Sequence, residues 1–230
     1  MMLNKETYIE CEFDNNKNLV INQFCPEYKD KCAFGEKYKA KCFIRKFYDK
    51  HLFRYVLKYK LNEKGKKDIV IILMNPSFAD NYYLDNTLYN TKKFLLNLDK
   101  IKKIHKVIVL NLFPIRTPNS NNLTTVMANY NEQQENNDNK ISEILDKVND
   151  VIVAWGSNYH NIATQKQWFT KLKSKSLYAY GINKKSENTE YGYPKHFSPF
   201  AYKYKDEDFK NKTLNNFQVK IIDNGYFEKI

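Results

Sequence analysis

The chain has 230 residues, a formal net charge of +12, and 42% hydrophobic and 28% charged residues. That length can bury one sizeable core, and no Gly/Ser/Pro-rich linker divides it, so a single domain over residues 1–230 is expected. No apolar stretch approaches the ~20 residues of a membrane-spanning helix and no signal-type apolar region follows Met1-Met2-Leu3-Asn4-Lys5-Glu6, so a cytoplasmic protein with no membrane partner is expected.

Residues 1–67 read as an antiparallel β elaboration. The segments 7–13, 19–21, 41–44 and 52–59 are β-rich or alternating, with Asn-, Lys- and Gly-containing turns between them. All four cysteines, Cys11, Cys25, Cys32 and Cys42, fall in this part. Their clustering keeps a zinc or iron–sulfur site open. The lack of a Cys-x-x-Cys pair, and the strand-like settings of Cys11 and Cys42, instead fit small apolar side chains, so no cofactor is the expectation. A disulfide is not expected in a reducing compartment.

From residue 68 the pattern becomes strand, helix, strand, and three apolar runs each stop on a polar cluster. Ile69-Val70-Ile71-Ile72-Leu73-Met74 breaks into Asn75-Pro76-Ser77-Phe78-Ala79-Asp80, Val107-Ile108-Val109-Leu110 into Asn111-Leu112-Phe113-Pro114, and Val151-Ile152-Val153-Ala154-Trp155 into Gly156-Ser157-Asn158. Continuous β-branched runs predict strands buried on both faces, as in a parallel sheet. Between them, Asp85-Asn86-Thr87 can cap a helix carrying Leu88, Leu95 and Leu98. Ile141, Ile144, Leu145 and Val148 give a second helical face, and Ile162, Phe169 and Leu172 a third. The polar segment 117–139 is expected to be an irregular loop over the site, with the Asn-rich run 131–139 solvated. A fourth short strand, Leu177-Tyr178-Ala179-Tyr180, is predicted to end at Gly181-Ile182-Asn183. The fold class that results is α/β: a three-layer α/β/α core over residues 68–205, with a central, mostly parallel four-stranded sheet. The N-terminal β elaboration precedes it, and residues 206–230 form a strand or tail.

In open α/β sheets ligands bind at the carboxyl ends of the strands, so Asn75, Asp80, Asn111 and Asn158 are expected to be neighbours in space. Asn75-Pro76-Ser77 ends its strand with a residue that fixes φ and removes a donor; it can hold a water or substrate, or be a self-satisfied turn. Asp80 is the nearest carboxylate, available as a base or to orient water. Asn111 offers both a donor and an acceptor, which suits a nucleobase edge. Trp155-Gly156 presents a flat ring beside a residue without a side chain, for stacking or for the core. Only three arginines occur, Arg45, Arg54 and Arg116. In so Lys-rich a chain an arginine marks a place for a forked, planar donor, and Arg116 follows the second strand end. Among four histidines, His196 stands in a turn-rich aromatic segment after the last strand, while His51, His105 and His160 sit in ordinary contexts. Positive charge favours a polyanionic partner, nucleic acid or nucleotide, although a Lys/Asn/Ile/Tyr-rich composition also produces a solvated lysine coat. No Walker loop, Gly-x-Gly-x-x-Gly, His-Glu-x-x-His or Gly-x-Ser-x-Gly occurs. Nothing in the sequence sets an oligomeric state.

Several motifs together resemble a bacterial and phage family, domain-of-unknown-function family 1643. They are Phe53-Arg54-Tyr55, Asn75-Pro76-Ser77-Phe78-Ala79-Asp80, Asp85 with Thr87, Asn111-Leu112-Phe113 with Arg116, Glu135-Asn136, Trp155-Gly156 and Gly192-Tyr193-Pro194-Lys195-His196. Their order is kept from about residue 40 to about residue 205. More distantly, Asn75-Pro76, Asn111, Trp155-Gly156 and His196-Phe197-Ser198-Pro199 resemble the four strand-end motifs of the uracil-DNA glycosylase superfamily. Phe197 replaces a proline of the last motif, and the first lacks its usual glycine context. This resemblance implies hydrolysis of the N-glycosidic bond of a modified or damaged base. Asn75, Asp80 and His196 would be catalytic, and Ser77, Asn111, Arg116, Trp155, Gly156 and Ser198 substrate-binding. A non-catalytic nucleobase-binding module, or a small-molecule enzyme on the same scaffold, are the alternatives.

Overall fold

The computed structural model of the chain describes residues 8–10, 40–46, 52–61, 64–76, 86–97, 104–116, 123–197, 212–222 and 225–230. Strands β1 (Tyr8–Glu10), β2 (Ala40–Lys46), β3 (Leu52–Lys60) and β4 (Lys67–Leu73) precede helix α1 (Asn86–Asn97) and β5 (Ile104–Asn111). Helices α2 (Leu123–Met127) and α3 (Asn131–Leu145) lead to β6 (Asp150–Val153), α4 (His160–Thr164) and a 3-10 helix, Gln167–Ser174. Then follow β7 (Ser176–Tyr178), β8 (Ile182–Lys184), β9 (Tyr191–Pro194), a 3-10 turn at Leu214–Phe217, β10 (Gln218–Ile221) and β11 (Phe227–Lys229).

Among the described residues the strands join one mixed sheet of eleven, in the order β1-β2-β3-β5-β4-β6-β7-β10-β11-β9-β8. The pairs β5/β4, β4/β6 and β6/β7 are parallel. Every pairing outside them is antiparallel. β3 covers the open side of β5 and β10 that of β7, so the N-terminal antiparallel strands and the C-terminal strands continue the same sheet. A bare strand edge exposes unpaired N–H and C=O groups, which is the physical reason for the extension.

The residues of the parallel strands are divided between two buried clusters. Val70, Ile72, Ile108, Leu110, Val151 and Val153 pack with Ile141, Ile144 and Leu145 of α3 and with Trp168, Phe169 and Leu172. Ile69, Ile71, Leu73, Val107, Val109, Ile152 and Ala154 pack with Leu88, Phe94 and Leu95 of α1. This is the period of two that a pleated strand imposes, and each such aliphatic burial stabilises by roughly 1.5–3 kcal/mol relative to exposure.

Two expectations about helices are corrected. The segment 117–139 is not one irregular loop: 123–127 and 131–139 are helical, the latter being the first part of α3. Asparagine is a poor helix former, but Gln133 and Asn137 continue the buried stripe of Ile141, Ile144 and Leu145 toward the N-terminus, and packing outweighs propensity. The expected third helix is broken between α4 and the 3-10 helix, where Lys166 is extended (φ −74°, ψ 136°).

A proline tests the first correction. Glu135 is exposed in the second turn of α3. Glu135→Pro is expected to lower the unfolding free energy by about 3 kcal/mol, because it removes an intrahelical bond and clashes with the preceding turn. Urea denaturation measures this, and a loop at this position would lose much less.

Candidate functional site

The carboxyl ends of β4, β5 and β6 lie side by side, in register. Leu73 pairs with Asn111, and Ile72 with Val153. Beyond the regular ladder, Leu112 N–H still donates to the Leu73 carbonyl (2.9 Å), Phe113 N–H to Met74 (3.0 Å) and Ala154 N–H to Ile72 (2.9 Å). Asn111 pairs with Leu73, whose side chain packs on the face covered by α1, so the pleat turns Asn111 to that face.

Asn111 is fully buried, and neither its amide nitrogen nor its amide oxygen has a hydrogen-bond partner. Leaving such a group unpaired costs roughly 1–3 kcal/mol. Asn75 is half-buried, and its amide donates to the Pro76 carbonyl (2.9 Å), as in a self-satisfied turn. Gly156 has φ +84°, a conformation that favours glycine. Its N–H donates to the Pro194 carbonyl (3.1 Å), although β9 stands four places from β6 in the sheet. This bond brings the last motif to the edge: a Cβ on Gly156 would lie 3.6 Å from that of His196. The Asn90 amide of α1 donates to the Phe197 carbonyl (3.2 Å), and the Phe197 ring packs on Phe94 at 5.4 Å. Gly156 and His196 thus approach each other beside β4 and β5, whose ends carry Asn75 and Asn111.

The other candidates lie elsewhere. Trp155 has the opposite parity, is 1% exposed, and is enclosed by Trp168, Phe169 and Phe227 at 5.6–6.4 Å. It is a core side chain with no open face for stacking a base. Arg116 follows Ile115, which bridges to Phe53 at the start of β3. Asn158 is exposed beside Ser157. Ser77, Asp80 and Ser198 lie outside the described residues, as do Cys11, Cys25 and Cys32. Cys42 is in β2, opposite Ile9 and Leu57. Among the described residues no cluster of three or more His, Cys, Asp or Glu could hold a metal ion.

Two groups beside the rim are not apparent from local sequence. From α3, Asn137 donates to the carbonyls of Asn111 (2.8 Å) and Leu112 (3.3 Å), and Gln134 donates to Leu112 (2.9 Å). Asp138 accepts from Gln134 (3.1 Å), Trp168 Nε1 (3.0 Å) and Lys166 (2.8 Å). These amides satisfy carbonyls that have left the ladder. A signal for them exists, since Asn137 stands one turn before Ile141 on the same stripe. The second group is His160, 1% exposed, stacked on Tyr226 at 5.3 Å and Trp155 at 6.5 Å, with Tyr193 edge-on at 5.0 Å. This box joins α4 to the strands that deliver His196. Burial lowers the imidazole pKa to about 4, opposed by the Gly225 backbone.

Two measurements follow from this geometry. Asn111→Leu, similar in size and apolar, is expected to raise the unfolding free energy by about 1–3 kcal/mol; a destabilised variant would show that the amide is satisfied. For His160, the folded pKa of about 4 lies below the ordinary 6.5, so the unfolded chain takes up the proton first as pH falls. The stability held above pH 6.5 is expected to decline down to about pH 4, by an amount on the order of 3 kcal/mol. His160→Phe, which keeps the ring contacts, should remove that part of the slope in urea titrations run across the window.

No curated protein and no solved structure matches this chain. Residues 54–197, from Arg54 in β3 to Phe197 beside His196, match the family described as Protein of unknown function (DUF1643), and the chain belongs to that family.

Proposed function

We propose that the chain recognises a nucleobase at the carboxyl rim of β4, β5 and β6, and that it hydrolyses the N-glycosidic bond of a modified or damaged base in DNA or in a nucleotide. The observation that carries this reading is the buried amide of Asn111, unpaired on both atoms, at the carboxyl end of β5 beside that of β4. A donor and an acceptor fixed side by side match the paired donor and acceptor of a base edge. The likeness of the four strand-end motifs to those of the uracil-DNA glycosylase superfamily supplies the reaction. The same reading takes the fold as a three-layer α/β/α core, supported by α1 on one face of the parallel strands and α3 with the 3-10 helix on the other.

The chemistry then divides among named groups. A base inside a duplex is out of reach, so the nucleotide enters extruded. Asn111 holds the base edge. Asn75, with Asp80, orients a water whose oxygen bonds to the anomeric carbon as the glycosidic bond breaks. His196 stabilises the negative charge that grows on the departing base, which leaves as the protonated free base after taking up the water's proton. Ser77, Ser198 and Arg116 hold flanking phosphates. Gly156 contributes by its lack of a side chain, leaving room beneath His196. Trp155 acts from the core, fixing the turn that ends in Gly156.

The test is release of free base from a panel of oligonucleotides, each carrying one deaminated, oxidised or alkylated base. Asn111→Ala and His196→Ala are each expected to slow release of the preferred base by about 10²–10³-fold, the loss typical of one group aimed at developing charge. The first residue of the water-holding turn is an amide, not a carboxylate, which favours a second reading: binding without turnover. Tight, Asn111-dependent binding of a modified oligonucleotide with no base released would select that reading. Neither binding nor release across the panel would overturn both.

A further inference from the structure

His196 reaches the proposed site at the end of β9, a strand remote from β6 in the sheet, and the backbone around it is tied down at three points. The Gly156 N–H donates to the Pro194 carbonyl (3.1 Å), the Lys195 N–H to the Gly181 carbonyl (2.8 Å), and the Asn90 amide to the Phe197 carbonyl (3.2 Å). Of these three bonds only the last is made by a side chain, and it joins residues 107 positions apart. We infer that Asn90 is a positioning residue for His196: helix α1 sets the direction of the imidazole by holding the carbonyl of the residue that follows it. This rests on the reading of His196 as the group that stabilises charge on the departing base.

The packing of α1 explains why this bond matters. Asn90 and Phe94 stand four residues apart on the helix, so they share a face. Phe94 packs on the Phe197 ring at 5.4 Å, with Phe217 at 5.0 Å and Tyr180 at 6.0 Å around it. One helix therefore grips Phe197 twice, by its ring and by its carbonyl. Apolar contact is non-directional and settles where the ring lies, whereas a hydrogen bond is directional and settles which way the carbonyl points. The second constraint is the one that the backbone at His196 inherits. The same helix covers the sheet face to which Asn111 is turned. Thr91, the next residue of α1, supplies a contrast: it is fully buried, but its hydroxyl donates to the Thr87 carbonyl within the helix (2.9 Å).

The experiment follows the histidine Cε1–H resonances of the full chain by NMR through a pH titration, with the His196 signal assigned by its loss in His196→Gln. Asn90→Ala removes the donor, and Asn90→Asp keeps the shape while setting an oxygen against the Phe197 carbonyl. Both are expected to displace the His196 resonance and its titration midpoint, and to leave those of His105 and His160 in place. Thr91→Val, which removes a buried hydroxyl bonded within the same helix, should leave all three in place. In base release, Asn90→Ala is expected to lower kcat by about 10²-fold, the effect of a small misplacement, while KM changes less than about 3-fold. In a His196→Ala background the same substitution should cost less than about 3-fold more, because its effect passes through the imidazole. Full additivity of the two losses would mark a general loss of packing and overturn the inference. So would a His196 resonance unmoved by Asn90→Ala, or one moved equally by Thr91→Val. Failure of the base site is separable from these outcomes. If the unsubstituted protein releases no base, the catalytic reading of His196 falls, and the NMR comparison still decides whether Asn90 orients it.

Discussion

Alternation along β4, β5 and β6 is the constraint on which the rest of the molecule depends. Successive side chains of a strand point to opposite faces, and here both faces are buried, one under α3 and the other under α1. A slip of one residue would exchange the two sets, so the register is strongly held. The same alternation carries past the ladder. It turns Asn111 to the α1 side and Trp155 to the α3 side, where the indole becomes part of the core. Packing and chemistry are thereby assigned to alternate residues of the same short segments.

The rim is held from behind by a polar stretch of α3. Once β5 leaves the ladder, its carbonyls have no strand partner, and Asn137 and Gln134 take them up. Each bond contributes about 1 kcal/mol, and losing a buried partner would cost more. The network continues through Asp138 to Lys166 and Trp168, so α3, the 3-10 helix and the tail of β5 form one unit. The backbone of Asn111 is therefore fixed while its amide is left unpaired. A rigid support beneath an unsatisfied group is the arrangement that preorganised recognition needs.

The C-terminal strands have a comparable role for His196. β9 is remote from β6 in sheet order, yet its end is bonded to Gly156, and the aromatic box around His160 holds the same flank against α4. Within a net charge of +12, some lysines are paired on both surfaces. At the amino ends of the strands, Lys140 and Lys147 both engage Glu143, and His105 faces Asp68. Exposed pairs of that kind contribute little to stability. Near the C-terminal strands, Lys184 engages Glu190 and Lys220 engages Glu228.

Much of this is legible in the residues themselves. Unbroken β-branched runs mark the buried parallel strands, and their abrupt polar ends mark the rim, because burial on both faces leaves a strand no polar position until it stops. Asn75, Asn111 and Gly156 stand out on that ground, and His196 by the turn-rich aromatic segment around it. Helix α3 does not, because asparagine favours loops locally, and only the core beneath it supplies the energy that overrides that preference. His160 is equally hidden, since its partners Tyr193 and Tyr226 are far away in sequence. Local order thus determined the strands, their buried character and the places where they end. Tertiary structure alone decided which side each end residue faces, which partners a buried polar group finds, and that a distant strand lays His196 over Gly156. Those depend on contacts between segments that no local pattern encodes.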